Sequence, residues 1–257
     1  MNNFNMKTGI VFSCFNIEHT LDVQKLIQVL SEQEHYYFCF VNDCSTDNTN
    51  QVLSSIKQKI PHRTFIINLE KKSGRPEALR TGIVYFEKLR YINYIGFFKN
   101  DLYFDFKALK SMTKSLHFSE NTSIVFGLEE KSKYVHTKER NLPFEFFKKK
   151  CPFGKDISEF LKLKDSTMVF SKSIVPILFD SPFVSKHFFY LEILLRLKLL
   201  FGEKNLNKFI LIKNLKLIQV QQNKPYLSFY QGMHSSFLLL RFCINYTLLR
   251  KSYLLLR

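Results

Sequence analysis

Four short polar clusters contain the side chains of this sequence that are best placed to do chemistry. They are residues 16–18 (NIE), 42–47 (NDCSTD), 73–75 (SGR) and 99–101 (KND), and each lies at or shortly after the end of an apolar run. Between them they offer carboxylates, amides, hydroxyls and basic groups. The chain also has a net charge of +16, which favours anionic partners such as a nucleotide diphosphate or an acidic membrane surface. The clusters therefore predict a site for a charged ligand.

The elements that position these clusters follow from the hydrophobic pattern. Continuous apolar runs predict strands at 8–16, 36–43, 63–70, 91–98 and 123–129. Amphipathic segments between them predict helices at 20–33, after Asp47, at 76–89 and at 106–116. This alternation predicts an α/β fold with a mostly parallel sheet and helices on both faces. Ligands bind beyond the carboxyl ends of such strands, so we expect the four clusters to meet at one edge.

The second half of the chain is harder to interpret. Residues 131–164 are polar and charged, and we expect an irregular excursion over the site. Core-like patterns return at 166–179 and 188–202. The five cysteines form no CxxC pair and show no zinc-like spacing with histidine. Their odd number fits a reducing cytosol, where disulfides are rare.

The C-terminal segment 223–257 combines apolar residues with spaced basic ones, and no Asp or Glu occurs after Glu203. Its longest apolar run, 237–249, is short for a membrane span and contains Arg241. We expect a helix that lies on an anionic membrane surface, with its basic side chains reaching toward headgroups. The alternative is a helix that covers the core.

In order and spacing, the clusters resemble family 2 glycosyltransferases of GT-A fold, especially the branch of polyprenyl-phosphate sugar synthases. The resemblance is carried by five segments: VFSCFNIE, FVNDCSTDNT, KKSGRPEALRTGI, YIGFFKNDLYFD and FFYLEILLRL. They are similar to the family's Pro-x-Tyr-Asn-Glu, Asp-Asp-Gly-Ser-x-Asp-x-Thr, Asn-x-Gly-Lys-x-x-Ala-Leu-Asn-x-Gly, Asp-x-Asp and Phe-Asp-x-Glu-Leu-Leu-x-Arg segments. The resemblance implies a GT-A domain over residues 7–222. From its composition, the segment 223–257 is expected to follow this domain as a C-terminal helical tail.

For the donor, the resemblance implies that a nucleotide-diphosphate sugar contacts Phe15, Glu18, Asp43, Arg75 and Asp101. Phe15 takes the family's Tyr position near the base, and Asp43 would accept a hydrogen bond from the base. Arg75, at the Lys position, would meet the diphosphate. Glu18 lies beside the family's Glu position. From the residues alone, Asp43 could instead satisfy backbone N–H groups in a turn, and Asp47 is expected to cap the following helix.

The resemblance also implies a divalent metal, Mg²⁺ or Mn²⁺, with Asp101 as its ligand. Lys99 occupies the position of the first Asp of Asp-x-Asp, where a positive charge repels a divalent cation or stands near the diphosphate in its place. We therefore predict weaker metal dependence than in relatives with both aspartates. Glu192 matches the Glu of the late helix on the acceptor side and is the predicted catalytic residue. At i,i+4 it could instead pair with Arg196.

Taken together, these features predict a membrane-associated glycosyltransferase of cell-envelope polysaccharide biosynthesis, with a lipid phosphate or glycan as acceptor and inversion at the sugar. We expect it in the cytoplasm, peripheral on the inner face of the plasma membrane. The alternative is a non-catalytic relative that keeps the fold and a nucleotide site, an idea favoured by Lys99. Nucleic acid is not an expected partner, because the basic residues are not interleaved with an aromatic platform.

Overall fold

A computed structural model of the chain describes residues 6–98, 105–129, 167–184, 189–202 and 210–215. Its strands are β1 Thr8–Cys14, β2 Tyr36–Asn42, β3 Thr64–Asn68, β4 Tyr94–Phe97, β5 Ile124–Glu129, β6 Thr167–Ser171 and β7 Ile210–Leu215. Its helices are α1 Val23–Ser31, α2 Thr49–Lys59, α3 Arg75–Lys88, α4 Phe106–Phe118, α5 Val175–Phe179 and α6 Phe189–Phe201. A short 3₁₀ helix, Lys172–Ile174, directly precedes α5.

The described strands form one seven-stranded sheet in the order β3-β2-β1-β4-β6-β5-β7. Strands β3, β2, β1 and β4 are parallel to one another, and β5 is parallel to β7. Strand β6 is antiparallel to both of its neighbours, β4 and β5. The predicted α/β fold with a mostly parallel sheet is confirmed. The antiparallel direction of β6 and the presence of β7 were not predicted.

Both faces of the sheet are covered, which explains the continuous apolar runs. Ile10, Val11 and Phe12 are consecutive in β1 and all are at most 1% exposed. Val11 faces a core that includes side chains from α3, α5 and α6. Ile10 and Phe12 face a second core that includes side chains from α1, α2 and α4. A strand with helices on both sides needs apolar residues at every position.

Gly82 allows α3 to lie directly against the centre of the sheet. A Cβ atom at this position would stand 2.4 Å from a methyl group of Val11 and 3.0 Å from one of Val41. The first two residues of α3 are Arg75 and Pro76, and proline suits the first turn because it lacks an N–H group. Close packing of α3 against the sheet therefore fixes the backbone position of Arg75, the first residue of the helix.

Some expectations fall outside the described residues. They concern the excursion at 131–164, the cluster 99–101, the boundary after 222 and the tail at 223–257. Within the part of the chain that the structure describes, no helix is both long and apolar enough to cross a membrane.

Candidate active site

Strands β1, β2 and β3 end at the same level of the sheet. Cys14 is paired with Asn42, and Asn42 is paired with Asn68. Because the strands are parallel and adjacent, the loops that follow them leave from one edge. The clusters 16–18, 42–47 and 73–75 are brought together there, as the sequence predicted. The fourth predicted cluster, 99–101, lies outside the described residues.

The loops after β1 and β2 are joined by reciprocal hydrogen bonds. Ser45 Oγ accepts from the N–H of Asn16 at 3.1 Å, and Asn16 Oδ1 accepts from the N–H of Thr46 at 3.0 Å. Asn16 and Cys44 have φ angles of 50° and 57°, which are uncommon for residues with a side chain. The hydrogen bonds offset the cost of these two conformations and fix both loops at the sheet edge.

Glu18 and Asp47 continue this connection at the start of α2. The Glu18 carboxylate accepts from Asn48 Nδ2 at 2.7 Å and from the N–H of Asn48 at 3.1 Å. The Asp47 carboxylate accepts from the N–H of Glu18 at 3.1 Å and from the N–H of Thr49 at 3.0 Å. Asp47 therefore satisfies a helix N-terminus, as expected, from the position before the N-cap residue Asn48. The proposed contact of Glu18 with the donor stays a prediction.

These hydrogen bonds favour the ionised forms of both carboxyl groups. The side chain and then the backbone N–H of Asn48 lower the pKa of Glu18 below its ordinary value. Partial desolvation raises the pKa of Asp47, but the hydrogen bonds from Thr49 and Glu18 outweigh it, and the net shift is downward. Both groups are therefore negative at neutral pH, and both belong to the framework of the loops.

Asp43 connects the end of β2 to the start of α3. Its carboxylate accepts from the N–H of Ser73 at 2.6 Å and from the N–H of Gly74 at 2.8 Å, and the residue is 2% exposed. A carboxylate has about four acceptor positions, so two of them are used. Asp43 thus satisfies backbone N–H groups, which was the alternative to base binding, although they belong to the loop after β3. Its predicted contact with a nucleobase remains a prediction.

Arg75 spans from the start of α3 to the end of β4. One terminal nitrogen donates to the carbonyl oxygen of Phe98 at 2.7 Å, and its guanidinium carbon lies 5.8 Å from the ring centroid of Phe97. Gly74 precedes it with a φ of 89°, a conformation that suits glycine and turns the chain into the helix. A fixed guanidinium beside the end of β4 can neutralise a phosphate group that lies at this edge.

Phe15 lies just beyond β1 and is 38% exposed. The ammonium nitrogen of Lys72 stands 3.4 Å from the centroid of its ring. Lys72 was not among the residues that the sequence motifs indicated. The available signal was its place in a pair of exposed lysines directly before the 73–75 cluster. Phe15, Glu18, Asp43 and Arg75 thus occupy neighbouring loops at one edge of the sheet.

Glu192 lies elsewhere, on the first turn of α6, and is 1% exposed. Its two carboxylate oxygens accept from the N–H of Val184 at 3.1 and 3.0 Å, and one also accepts from Arg196 Nη2 at 2.8 Å. The i,i+4 pair expected from the sequence is therefore present. Arg196 also donates to the carbonyl oxygens of Leu178, Ser181 and Pro182, so the pair fixes the segment that leads from α5 toward α6. The predicted catalytic role of Glu192 stays a prediction.

The described residues contain no group of three or more His, Cys, Asp or Glu side chains that could hold a metal ion. Asp101, the predicted metal ligand, lies outside them together with Lys99. The divalent metal therefore remains a prediction.

Comparison with known proteins identifies relatives of this chain. The sequence model of glycosyl transferase family 2 matches residues 10–174, which is more than half of the chain. No curated protein sequence matches it significantly.

Among solved structures, the chain is similar to glucosyl-3-phosphoglycerate synthase from Mycobacterium tuberculosis. One crystal structure has a TM-score of 0.59 at 14% identity, with 95% of this chain and 80% of that chain covered. A second, in complex with Mn²⁺ and UDP-glucose, has a TM-score of 0.58 at 13% identity, with 93% and 78% covered. A third, with Mn²⁺, UDP and phosphoglyceric acid, has a TM-score of 0.57 at 14% identity, with 93% and 78% covered. At this identity the likeness establishes the fold.

Proposed function

The chain belongs to glycosyl transferase family 2, and on that premise we propose that it transfers a sugar from a nucleotide-diphosphate sugar to a lipid phosphate or a glycan, with inversion. The observation that carries the proposal is the meeting of the loops after β1, β2 and β3 at one edge of the sheet, where the Asp43 carboxylate accepts from Ser73 and Gly74 and the Arg75 guanidinium is fixed beside the end of β4. This edge offers an acceptor for a base N–H group and a cation for a diphosphate.

In the proposed donor complex, the base lies near Phe15 and Asp43, and the diphosphate lies toward Arg75. Crystal structures of the mycobacterial relative contain UDP or UDP-glucose, which supports a nucleotide-sugar donor for this chain. Arg75 is suited to this role because a guanidinium keeps its charge and can donate two parallel hydrogen bonds to a phosphate. Its hydrogen bond to Phe98 already restricts the guanidinium group, so the side chain loses less conformational freedom when a ligand binds.

The proposed reaction replaces one bond to the anomeric carbon by another. The acceptor oxygen attacks that carbon, the bond to the diphosphate oxygen breaks, and the nucleoside diphosphate leaves with the electron pair. Positive groups beside the leaving diphosphate stabilise the negative charge that develops on it. Arg75 is the described residue that we assign to this role. A divalent cation, when bound, supplies Lewis-acid stabilisation of the same charge.

The surroundings of Glu192 favour a lipid phosphate over a hydroxyl acceptor. A hydroxyl needs a general base, and Glu192 is the predicted one. Its carboxylate is buried and accepts hydrogen bonds from Val184 and Arg196, so it is not exposed to an acceptor hydroxyl. A phosphate oxygen is already ionised and needs no base. We therefore rank a polyprenyl-phosphate-type acceptor first and a glycan second.

We further propose that the enzyme works in the cytoplasm, on the inner face of the plasma membrane, in cell-envelope polysaccharide synthesis. The support is the basic and apolar character of residues 223–257. Each Lys or Arg near an anionic leaflet contributes about 1 kcal/mol of attraction. A lipid acceptor would be reached most directly from that surface.

A transfer assay with labelled UDP-, GDP- and dTDP-sugars tests the proposal. The protein is incubated with each donor and a short-chain polyprenyl phosphate in detergent, with and without Mn²⁺, and label is counted in the organic phase. We expect transfer from one donor, and its loss in Arg75→Ala but not in Arg90→Ala, a control at an exposed arginine beyond α3. Donor binding without transfer to any lipid or glycan acceptor would identify a non-catalytic relative instead.

A further inference from the structure

The contact between Lys72 and Phe15 crosses the end of the strand that carries Asp43. Phe15 follows β1, Lys72 follows β3, and β2 lies between these strands in the sheet. Strands β1 and β3 are therefore about 10 Å apart, twice the usual spacing of neighbouring strands. Nevertheless, the Lys72 ammonium reaches to 3.4 Å from the centroid of the Phe15 ring. This contact bridges the loops that flank the proposed base site.

Both side chains are attached to backbone that the loop network fixes. The residue after Phe15 is Asn16, whose N–H donates to Ser45. The residue after Lys72 is Ser73, whose N–H donates to the buried Asp43 carboxylate. Both side chains are nevertheless exposed, with 38% for Phe15. The ammonium can therefore change its partner by rotations along its own four-carbon stem, while the loops stay in place.

We propose that Lys72 is a specificity-determining residue that recognises the diphosphate of the donor and covers the Phe15 ring when no donor is bound. This inference rests on the proposed function. An exposed ammonium–ring contact is weak, whereas an ammonium hydrogen-bonded to a phosphate oxygen gains an opposite charge. Binding of the diphosphate therefore draws Lys72 away from the ring. The ring face is then available to the base or the ribose of the donor.

If Lys72 moves from the Phe15 ring to the diphosphate, removal of its side chain should change the affinities of ligands with and without phosphate in different ways. A nucleoside diphosphate loses an ionic partner, so its affinity falls. A nucleoside has no phosphate for Lys72 to contact and competes with it for the ring face, so its affinity stays the same or rises. A purely structural role for Lys72 would weaken both ligands together. The difference between the two ligands is therefore the diagnostic result.

The experiment compares wild type, Lys72→Ala and the matched control Lys71→Ala, which removes the neighbouring exposed lysine. Displacement of a fluorescent nucleotide gives the Kd of UDP and uridine, with GDP and guanosine, and dTDP and thymidine, measured in parallel. For the preferred diphosphate we expect the Kd to rise about tenfold in Lys72→Ala, the lower range for a charge-assisted hydrogen bond at an exposed site. We expect the matching nucleoside to bind at least as well as to wild type, and Lys71→Ala to behave as wild type.

The variant Phe15→Leu distinguishes the contribution of the Phe15 ring from the contribution of the contact between Lys72 and phosphate. It removes the ring face but leaves Lys72 free to reach a phosphate, so nucleoside affinity should fall proportionally more than diphosphate affinity. Equal diphosphate affinity in wild type and Lys72→Ala overturns the inference while leaving the proposed function intact. An equal loss for nucleoside and diphosphate also overturns it, because that pattern indicates a structural role. Failure of wild type to bind any of the three diphosphates refutes the proposed function and this inference together.

Discussion

Replacing Asp43 by alanine should both destabilise the protein and weaken nucleotide binding. The substitution removes the carboxylate that accepts from Ser73 and Gly74 at 2.6 and 2.8 Å. Each hydrogen bond to a charged acceptor contributes about 1.5–3 kcal/mol. Ser73 and Gly74 are only partly buried, so water can satisfy their N–H groups after the change. We therefore take the low end for each bond and expect a loss of about 3 kcal/mol in the free energy of unfolding.

Urea unfolding followed by circular dichroism measures this loss, and two variants provide the comparison. Asp43→Asn keeps one acceptor oxygen and should lose about half as much stability. Asp22→Ala removes a single N-cap contact, from Asp22 to the N–H of Lys25 at 3.1 Å, far from the proposed site along the chain. That change should cost about 1 kcal/mol. It should leave nucleotide affinity unchanged.

The binding half of the prediction uses conditions in which each variant is folded. If Asp43 accepts a hydrogen bond from the base, Asp43→Ala should weaken nucleotide diphosphates by about 1.5–3 kcal/mol, or roughly ten- to a hundredfold in Kd. An unfolding midpoint equal to that of wild type would refute the structural reasoning. A folded Asp43→Ala protein with wild-type affinity for every nucleotide would refute the assignment of Asp43 to the base.

Three further predictions concern pH, metal and membrane. Because hydrogen bonds lower the folded pKa of Glu18 and Asp47, their contribution to stability is present above the ordinary pKa and is lost as pH falls through the folded values. At pH values below about 4, the melting temperature should therefore decrease as the pH is lowered. The decrease should be less steep in the Glu18→Gln, Asp47→Asn double variant, and equal slopes for wild type and this variant would contradict the prediction. Lys99→Asp should increase Mn²⁺ affinity or make activity more metal-dependent, whereas strong stoichiometric Mn²⁺ binding at Asp101 in wild type would disprove the idea. A chain ending near residue 224 should remain folded and lose most of its sedimentation with anionic vesicles, and wild-type binding of full-length protein should weaken with salt without vanishing. If the shortened protein sediments equally well, the tail at 223–257 is not the anchor, and if it unfolds, the tail is part of the core.

The sequence predicted the part of the fold that depends on local pattern. Strands β1 to β4 are continuous apolar runs, and each is followed by a polar cluster or helix signal, so their parallel arrangement could be inferred. Strand β6 has only five residues, and its direction is set by its pairing with β4 and β5. Nothing within five residues encodes the direction of a strand, and β7 pairs with a strand more than 80 positions away in sequence. These pairings could not be read from the pattern.

In the candidate site, too, contacts within one helix could be predicted, whereas contacts between distant segments could not. The pairing of Glu192 with Arg196 could be expected, because four residues on a helix bring two side chains together. By contrast, Glu18 meets Asn48, and Asp43 meets Gly74, across 30 and 31 residues of sequence. Such contacts depend on the register of neighbouring strands. The sequence therefore predicted which loops meet at this edge of the sheet. It did not predict which of their side chains hydrogen-bond to the neighbouring loops.

Isothermal titration calorimetry of nucleotide sugars tests the central claim most directly. UDP-, GDP- and dTDP-sugars are titrated into wild-type protein with and without Mn²⁺, and the best ligand is then titrated into folded Arg75→Ala. We predict saturable binding of one nucleotide sugar at one site per chain, measurable without Mn²⁺, and about tenfold weaker in Arg75→Ala because an ionic contact to the diphosphate is lost. Absence of binding by all three donors, in the presence and absence of Mn²⁺, would contradict a nucleotide-sugar site at the edge formed by β1, β2, β3 and β4.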